Sequence, residues 1–115
     1  MARTMDRLGT TAAHAGLEVS VAPGLPGRAH VTVSGEIDLD NAPILREAVL
    51  TAVACYRTGV TVDLRQVTFC DCAGLNVLLA ARDTAERRHR SLCVTHTGHF
   101  MERLLRITGT RAALS

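Results

Sequence analysis

The sequence predicts a single α/β domain: a mixed sheet of about four strands with helices packed on one face. Three observations carry this. Residues 17–21 and 30–35 alternate apolar and polar, the period of a half-buried strand. From Leu45 the period becomes helical, through Ala48, Val49, Ala52 and Val53. Short strand-like runs and helical runs then take turns, the order from which α/β domains are built. At 115 residues, 47% of them hydrophobic, the chain has the size of one domain and the apolar content for a core.

Each element follows in order. Residues 1–16 show no period and read as a flexible lead, leaving 17–115 as the domain. Residues 17–21 and 30–35 flank Pro23, Gly24, Pro26 and Gly27, a turn by composition, and so read as an antiparallel hairpin. Asp38, Asp40 and Asn41 offer capping side chains to a first helix that has Pro43 in its first turn. Gly59 sets off a strand over 60–64. Asp71 is placed to cap a second helix, carrying Leu75, Leu78 and Leu79 and ending near Arg90. Residues 92–95 read as a strand. Thr97 is placed to cap a third helix through Phe100, Met101, Leu104 and Leu105, with Gly109 at its end. Strands joined through a helix are expected to lie parallel, so the sheet is mixed.

Composition excludes several chemistries. The net charge is +2, with both signs mixed along the chain, which leaves no basic face for nucleic acid. The basic run Arg87, Arg88, His89 and Arg90 reads as the solvated end of a helix. Every fixed cation is Arg, so Schiff-base and phosphate-loop lysine chemistry is absent. No apolar run approaches the roughly 20 residues that span a bilayer, and no apolar segment follows Arg3 and Arg7 as a secretory signal requires. A cytoplasmic protein with no membrane contact is therefore expected.

The four cysteines, Cys55, Cys70, Cys72 and Cys93, are then expected to be reduced. Cys70 and Cys72 are too close for a zinc knuckle, and no His pair has ligand spacing, so neither metal nor cofactor is expected. Cys55 and Cys93 read as small buried hydrophobes. Glu36, Asp38 and Asp40 read as a loop and helix cap rather than a metal site. His96 and His99 read as surface or cap residues. A thiol hydrolase built on Cys72 lacks a glycine-rich oxyanion loop, so no enzymatic activity is expected.

The most informative stretch runs from Val60 to Leu79. A strand leads through a short apolar segment, with Val67 and Phe69, into a helix opened by Asp71. Gly74 lies in that helix's first turn, where small size permits a close approach by another surface. Helix N-termini expose unpaired N–H groups and partial positive charge, so Cys72 is expected to be exposed and rigidly held.

The run Asp63-Leu64-Arg65-Gln66-Val67-Thr68-Phe69-Cys70-Asp71-Cys72-Ala73-Gly74-Leu75 resembles the signature of STAS domains, especially bacterial anti-sigma factor antagonists. Ser34-Gly35-Glu36-Ile37-Asp38 with Ala42-Pro43-Ile44-Leu45-Arg46 is similar to that family's second-strand exit and first helix. Arg103-Leu104-Leu105-Arg106-Ile107-Thr108-Gly109 is similar to its third helix. The resemblance implies a non-enzymatic protein that binds an anti-sigma factor, often a serine kinase, and so frees a sigma factor. It implies a partner-binding site at Asp38, Asp71, Cys72, Ala73, Gly74 and Leu75. In the family a Ser or Thr follows the aspartate and is phosphorylated, and the added charge breaks the complex. Here Cys72 occupies that position, so switching by a serine kinase is not expected.

Two alternatives accompany this reading. One is a STAS scaffold or interaction module within a stress-signalling assembly. The other is thiol regulation, with Cys72 favoured as thiolate at a helix N-terminus and Cys70 as resolving partner. Residues two apart form strained bridges at best, which weighs against the second. Family members also continue past the Thr-Gly motif with further elements. The shortened C-terminal part is expected to leave a sheet edge or helix face open, through which two copies of the chain would pair.

Overall fold

The computed structural model describes residues 10–115. Five strands form one sheet: β1 (Thr10–His14), β2 (Leu17–Pro23), β3 (Arg28–Ile37), β4 (Gly59–Cys70) and β5 (Ser91–Thr97). Three helices accompany them: α1 (Ala42–Cys55), α2 (Cys72–Arg87) and α3 (His99–Thr108). The strands lie in sequence order. β1, β2 and β3 pair antiparallel, and β3, β4 and β5 pair parallel. The predicted mixed α/β sheet is therefore present, with five strands instead of four.

The extra strand corrects the reading of residues 1–16 as a flexible lead. Thr10–His14 pairs residue for residue with β2, from Thr10 opposite Val21 to His14 opposite Leu17. Its sequence, Thr-Thr-Ala-Ala-His, has little alternation of its own, and pairing to a neighbour decides its conformation. The expectation for residues 1–9 lies outside the described residues.

One sheet face is aliphatic. Leu17, Val19, Val31, Val33, Val60, Val62, Leu64, Leu92 and Val94 are buried there and join one core. α1 adds Leu45, Val49, Ala52 and Val53, α2 adds Leu75, Leu78, Ala81 and Ala85, and α3 adds Met101 and Leu105. Each buried aliphatic side chain contributes about 1.5–3 kcal/mol, which is how a core with few aromatics suffices. The opposite face carries His30, Thr32, Thr61 and Cys93, which remain half-exposed.

All four expected strands run further than their periodicity indicates, β4 most of all. β4 was expected to end near Leu64 and instead continues to Cys70, pairing with β3 as far as Ile37 opposite Cys70. Irregularities between Thr32 and Ser34, and between Gly35 and Glu36, keep the two strands together. Such bulges bend a strand and re-aim its end. The helix limits also shift: α2 ends at Arg87, and Gly98 rather than Thr97 precedes α3, while the Thr97 hydroxyl donates to Glu102. From the basic run, Arg90 donates to the carbonyls of Val53 and Ala54. A guanidinium thereby meets the negative end of α1.

The chain after α3 does not leave its neighbourhood bare. Leu114 is fully buried in the core, and its carbonyl accepts the Val94 N–H at 2.7 Å. That contact occupies part of the β5 edge, where the shortened end was expected to leave a sheet edge or helix face open.

Candidate partner-binding site

The parallel strands β3 and β4 end side by side, and both chain exits lie at the same edge of the core. In open α/β sheets this end of the strands is where ligands bind. The Asp71 N–H donates to the Ile37 carbonyl at 3.1 Å, joining the two exits directly. Asp71 then caps α2 as expected: its carboxylate accepts from the N–H groups of Ala73 at 2.9 Å and Gly74 at 3.3 Å. Cys72 is thereby held at the first helical position, exposed to solvent.

The predicted site residues divide into two groups. Cys72 is exposed, and Asp38, Asp71 and Ala73 are half-buried. Gly74 and Leu75 are buried and face inward. The close approach that Gly74 permits is internal: an added Cβ would stand 2.5 Å from Ile37 Cγ2 and 2.7 Å from Cys70 Sγ. Gly74 thus seats the helix on the core beneath the exposed turn. This corrects the expectation that it receives another surface.

The neighbouring loop is built around Asn41, which is fully buried. Its side-chain oxygen accepts the Asp38 N–H at 2.9 Å, and its amide donates to the carbonyls of Ala15 and Glu36 at 3.1 and 2.9 Å. Asp38 accepts from the N–H groups of Asp40 and Asn41. The acidic run is therefore a loop, but the expected side-chain cap is absent: Asp38 accepts from N–H groups ahead of α1, and Asn41 binds three neighbouring segments instead of the N–H groups of α1. Asp40 also lies 3.6 Å from His14.

Sequence reasoning passed over Leu39, which is 77% exposed on this loop. Phe69 is 43% exposed at the end of β4, and its ring lies 5.6 Å from that of Phe100 on α3. A large apolar residue set between two aspartates, in a segment with no helical or strand period, was the available signal for Leu39. An exposed aromatic residue is a common anchor of a protein interface, and Leu39 adds exposed apolar area on the neighbouring loop.

The thiols differ sharply. Cys70 is buried, and its Sγ donates to the Asp71 carbonyl at 3.4 Å. Burial, with the nearby Asp71 and Cys72, pushes its pKa up to about 12. Cys55, expected to be buried, is exposed at the end of α1, and Cys93 is half-buried. Behind the site, the Arg65 guanidinium binds both oxygens of the buried Asp63 carboxylate and holds its pKa below the usual range. Among the described residues no three His, Cys, Asp or Glu side chains are placed to hold a metal ion. Nor is any described helix long and apolar enough to cross a membrane.

Fold and site together define a class: a mixed α/β domain that presents a capped, solvent-facing helix N-terminus at its parallel strand exits. The chain belongs to the STAS-domain family, and a family model described as Mlab, STAS domain matches residues 23–114. The anti-sigma-B factor antagonist of Bacillus subtilis (strain 168) is 31% identical over 81 residues, covering 70% of this chain and 73% of that protein. The structure of an anti-sigma factor antagonist from Mycobacterium paratuberculosis superposes with a TM-score of 0.75 at 28% identity, over 85% of this chain and 82% of that one. The unphosphorylated anti-sigma factor antagonist SpoIIAA shares the fold, with a TM-score of 0.70 at 14% identity over 82% of this chain and 83% of its own.

Proposed function

We propose that this chain is an anti-sigma factor antagonist that binds an anti-sigma factor of the serine-kinase type and so releases a sigma factor. The carrying observation is the exposed first turn of α2, where Asp71 fixes Cys72 on the surface. The relatives named above as antagonists support the partner class. Leu39 and Phe69 supply the apolar contacts, and Cys72 and Ala73 supply the rigid turn. Asp38, Gly74 and Leu75 act from beneath by holding loop and helix in place.

Cys72 gives the proposed complex its regulation. A thiol is close in size to a hydroxyl, so the docking surface is retained, but a serine kinase has no acceptor there. The antagonist then stays in its binding state while a serine-bearing relative would be switched off by phosphate charge. Cys70 offers a redox alternative little support, because its thiol is buried and strongly protonated.

The test is an affinity titration against a serine-kinase anti-sigma factor, with intact-mass analysis after incubation with ATP. Wild type is expected to bind and to gain no phosphate. Cys72→Ser is expected to bind and gain one, and Cys72→Asp to lose most of its affinity. Phosphate on wild type would refute the absent switch. Failure of wild type to bind any such kinase, with recovery instead in a large stress-signalling assembly, would favour the scaffold reading.

A further inference from the structure

We infer that the free edge of β1, with the groove beside it, is the docking surface for a second copy of this chain. Among the described residues β1 pairs only with β2, so its outer row of N–H and C=O groups faces no strand. Natural sheets blunt such edges with charged residues, proline or bulges. Thr10–His14 contains no proline, Lys, Arg, Asp or Glu, and its register with β2 is unbroken. The opposite edge is managed differently, with Val94 bonded to the buried Leu114.

Beside β1 runs an apolar groove of about 500 Å³ between the β1–β2 hairpin and α1. Ala12, Val21, Ile44, Ala48 and Tyr56 line it and remain half-exposed. A strand-shaped occupant is required by the unpaired edge, and an apolar one by the groove. A second copy supplies such a strand in its own uncharged β1, and brings its own apolar groove alongside. Two-fold antiparallel pairing centred on Ala12 sets Thr11 opposite Ala13 and Thr10 opposite His14. Small residues then face small residues, no like charges oppose, and each copy's edge satisfies the other's. The sheet continues through ten strands, with the two α1 grooves meeting across the axis.

The size of the surface sets the strength. Eleven residues line the groove in each copy, against roughly 20–30 per side in a stable complex. The association is therefore weak and depends on concentration.

Light scattering on the full chain tests this. Between about 10 μM and about 1 mM, the range suited to a small interface, the mass is expected to rise from monomer towards dimer. Ala12→Arg places two guanidinium groups at the axis and is expected to weaken the dimer at least tenfold, with an unchanged urea midpoint. Independently of any variant, alkylation of wild-type Cys55, which lines the groove, is expected to slow as the dimer forms. A monomeric mass at 1 mM would overturn the inference. So would a dimer that a folded Ala12→Arg leaves intact, or one in which Cys55 reacts at a constant rate.

Discussion

A Cβ added at Gly74 would lie 2.5 Å from Cγ2 of Ile37. The first turn of α2 is therefore pressed against the end of β3 with no room for a methyl group. Alanine in a helix is ordinarily favoured over glycine by about 1 kcal/mol. Here the insertion must displace Ile37 and the Cys70 sulfur, and overpacking of that kind costs about 1–3 kcal/mol. Gly74→Ala is expected to be net destabilising, with a lower urea midpoint. The proposed partner affinity should fall as well, because the turn carrying Cys72 is tilted outward. A midpoint equal to or above wild type would contradict the packing argument.

Asn41 makes a second prediction. Its side chain reaches the β1–β2 turn at Ala15, the β3 exit at Glu36 and the loop at Asp38, all from a fully buried position. Removing it leaves three backbone groups without partners and a void. Asn41→Ala is expected to cost about 2–4 kcal/mol in urea denaturation. Asn41→Asp should do no better at neutral pH, because a carboxylate cannot donate to two carbonyls and would be buried unpaired. A loss below half a kcal/mol in both variants would show that water replaces the amide.

How much of this was legible depended on whether a feature was local. The alternation at 17–21 and 30–35 revealed β2 and β3 because one face of each is buried. Asp71 could be read as a cap because its partners, Ala73 and Gly74, are two and three residues away. β1 could not be read, since Thr-Thr-Ala-Ala-His becomes a strand only by pairing with β2. The extension of β4 to Cys70 depends on irregularities in its pairing with a different strand, β3. Gly74 was placed in the correct turn, but which side its bare Cα faces depends on Ile37, on a different element well upstream in the chain. Cys55 fits the composition of a core residue, and only the position of α1 beside the groove shows that it is exposed.

The thiols make a third prediction. With a pKa pushed up to about 12, Cys70 is thiolate in only about one molecule in ten thousand at pH 8, and it is buried besides. Iodoacetamide at pH 8 is expected to modify the exposed Cys55 and Cys72 while leaving Cys70 intact until the chain unfolds. Peptide mass mapping reads each site separately. Rapid modification of Cys70 in the folded protein, or a Cys70–Cys72 disulfide under mild peroxide, would revive the redox reading.

Asp63 makes the last. Its carboxylate is buried, while Arg65 stands largely in water and bonds it at 2.6 Å and 3.1 Å. The side-chain hydrogen bonds from Arg65 lower its pKa most. Burial opposes this, and the Arg65 backbone N–H and the charges of Arg65 and His96 add to the lowering. A carboxyl group whose folded pKa lies below its unfolded value of about 3.9 binds its proton more readily when unfolded. Its contribution to stability is therefore fully present above about pH 4 and is lost as the pH falls through the folded value. Wild type is expected to lose stability steeply below pH 4. Asp63→Asn, with no proton to bind, should show a shallower acid slope and a lower stability at neutral pH. Arg65→Ala should lose stability at neutral pH too, because it leaves Asp63 buried without its partner, a loss of about 1–3 kcal/mol. Urea midpoints measured from pH 3 to pH 7 distinguish the cases. Parallel curves for wild type and Asp63→Asn would show that the pair is present in the fold without coupling its stability to protons.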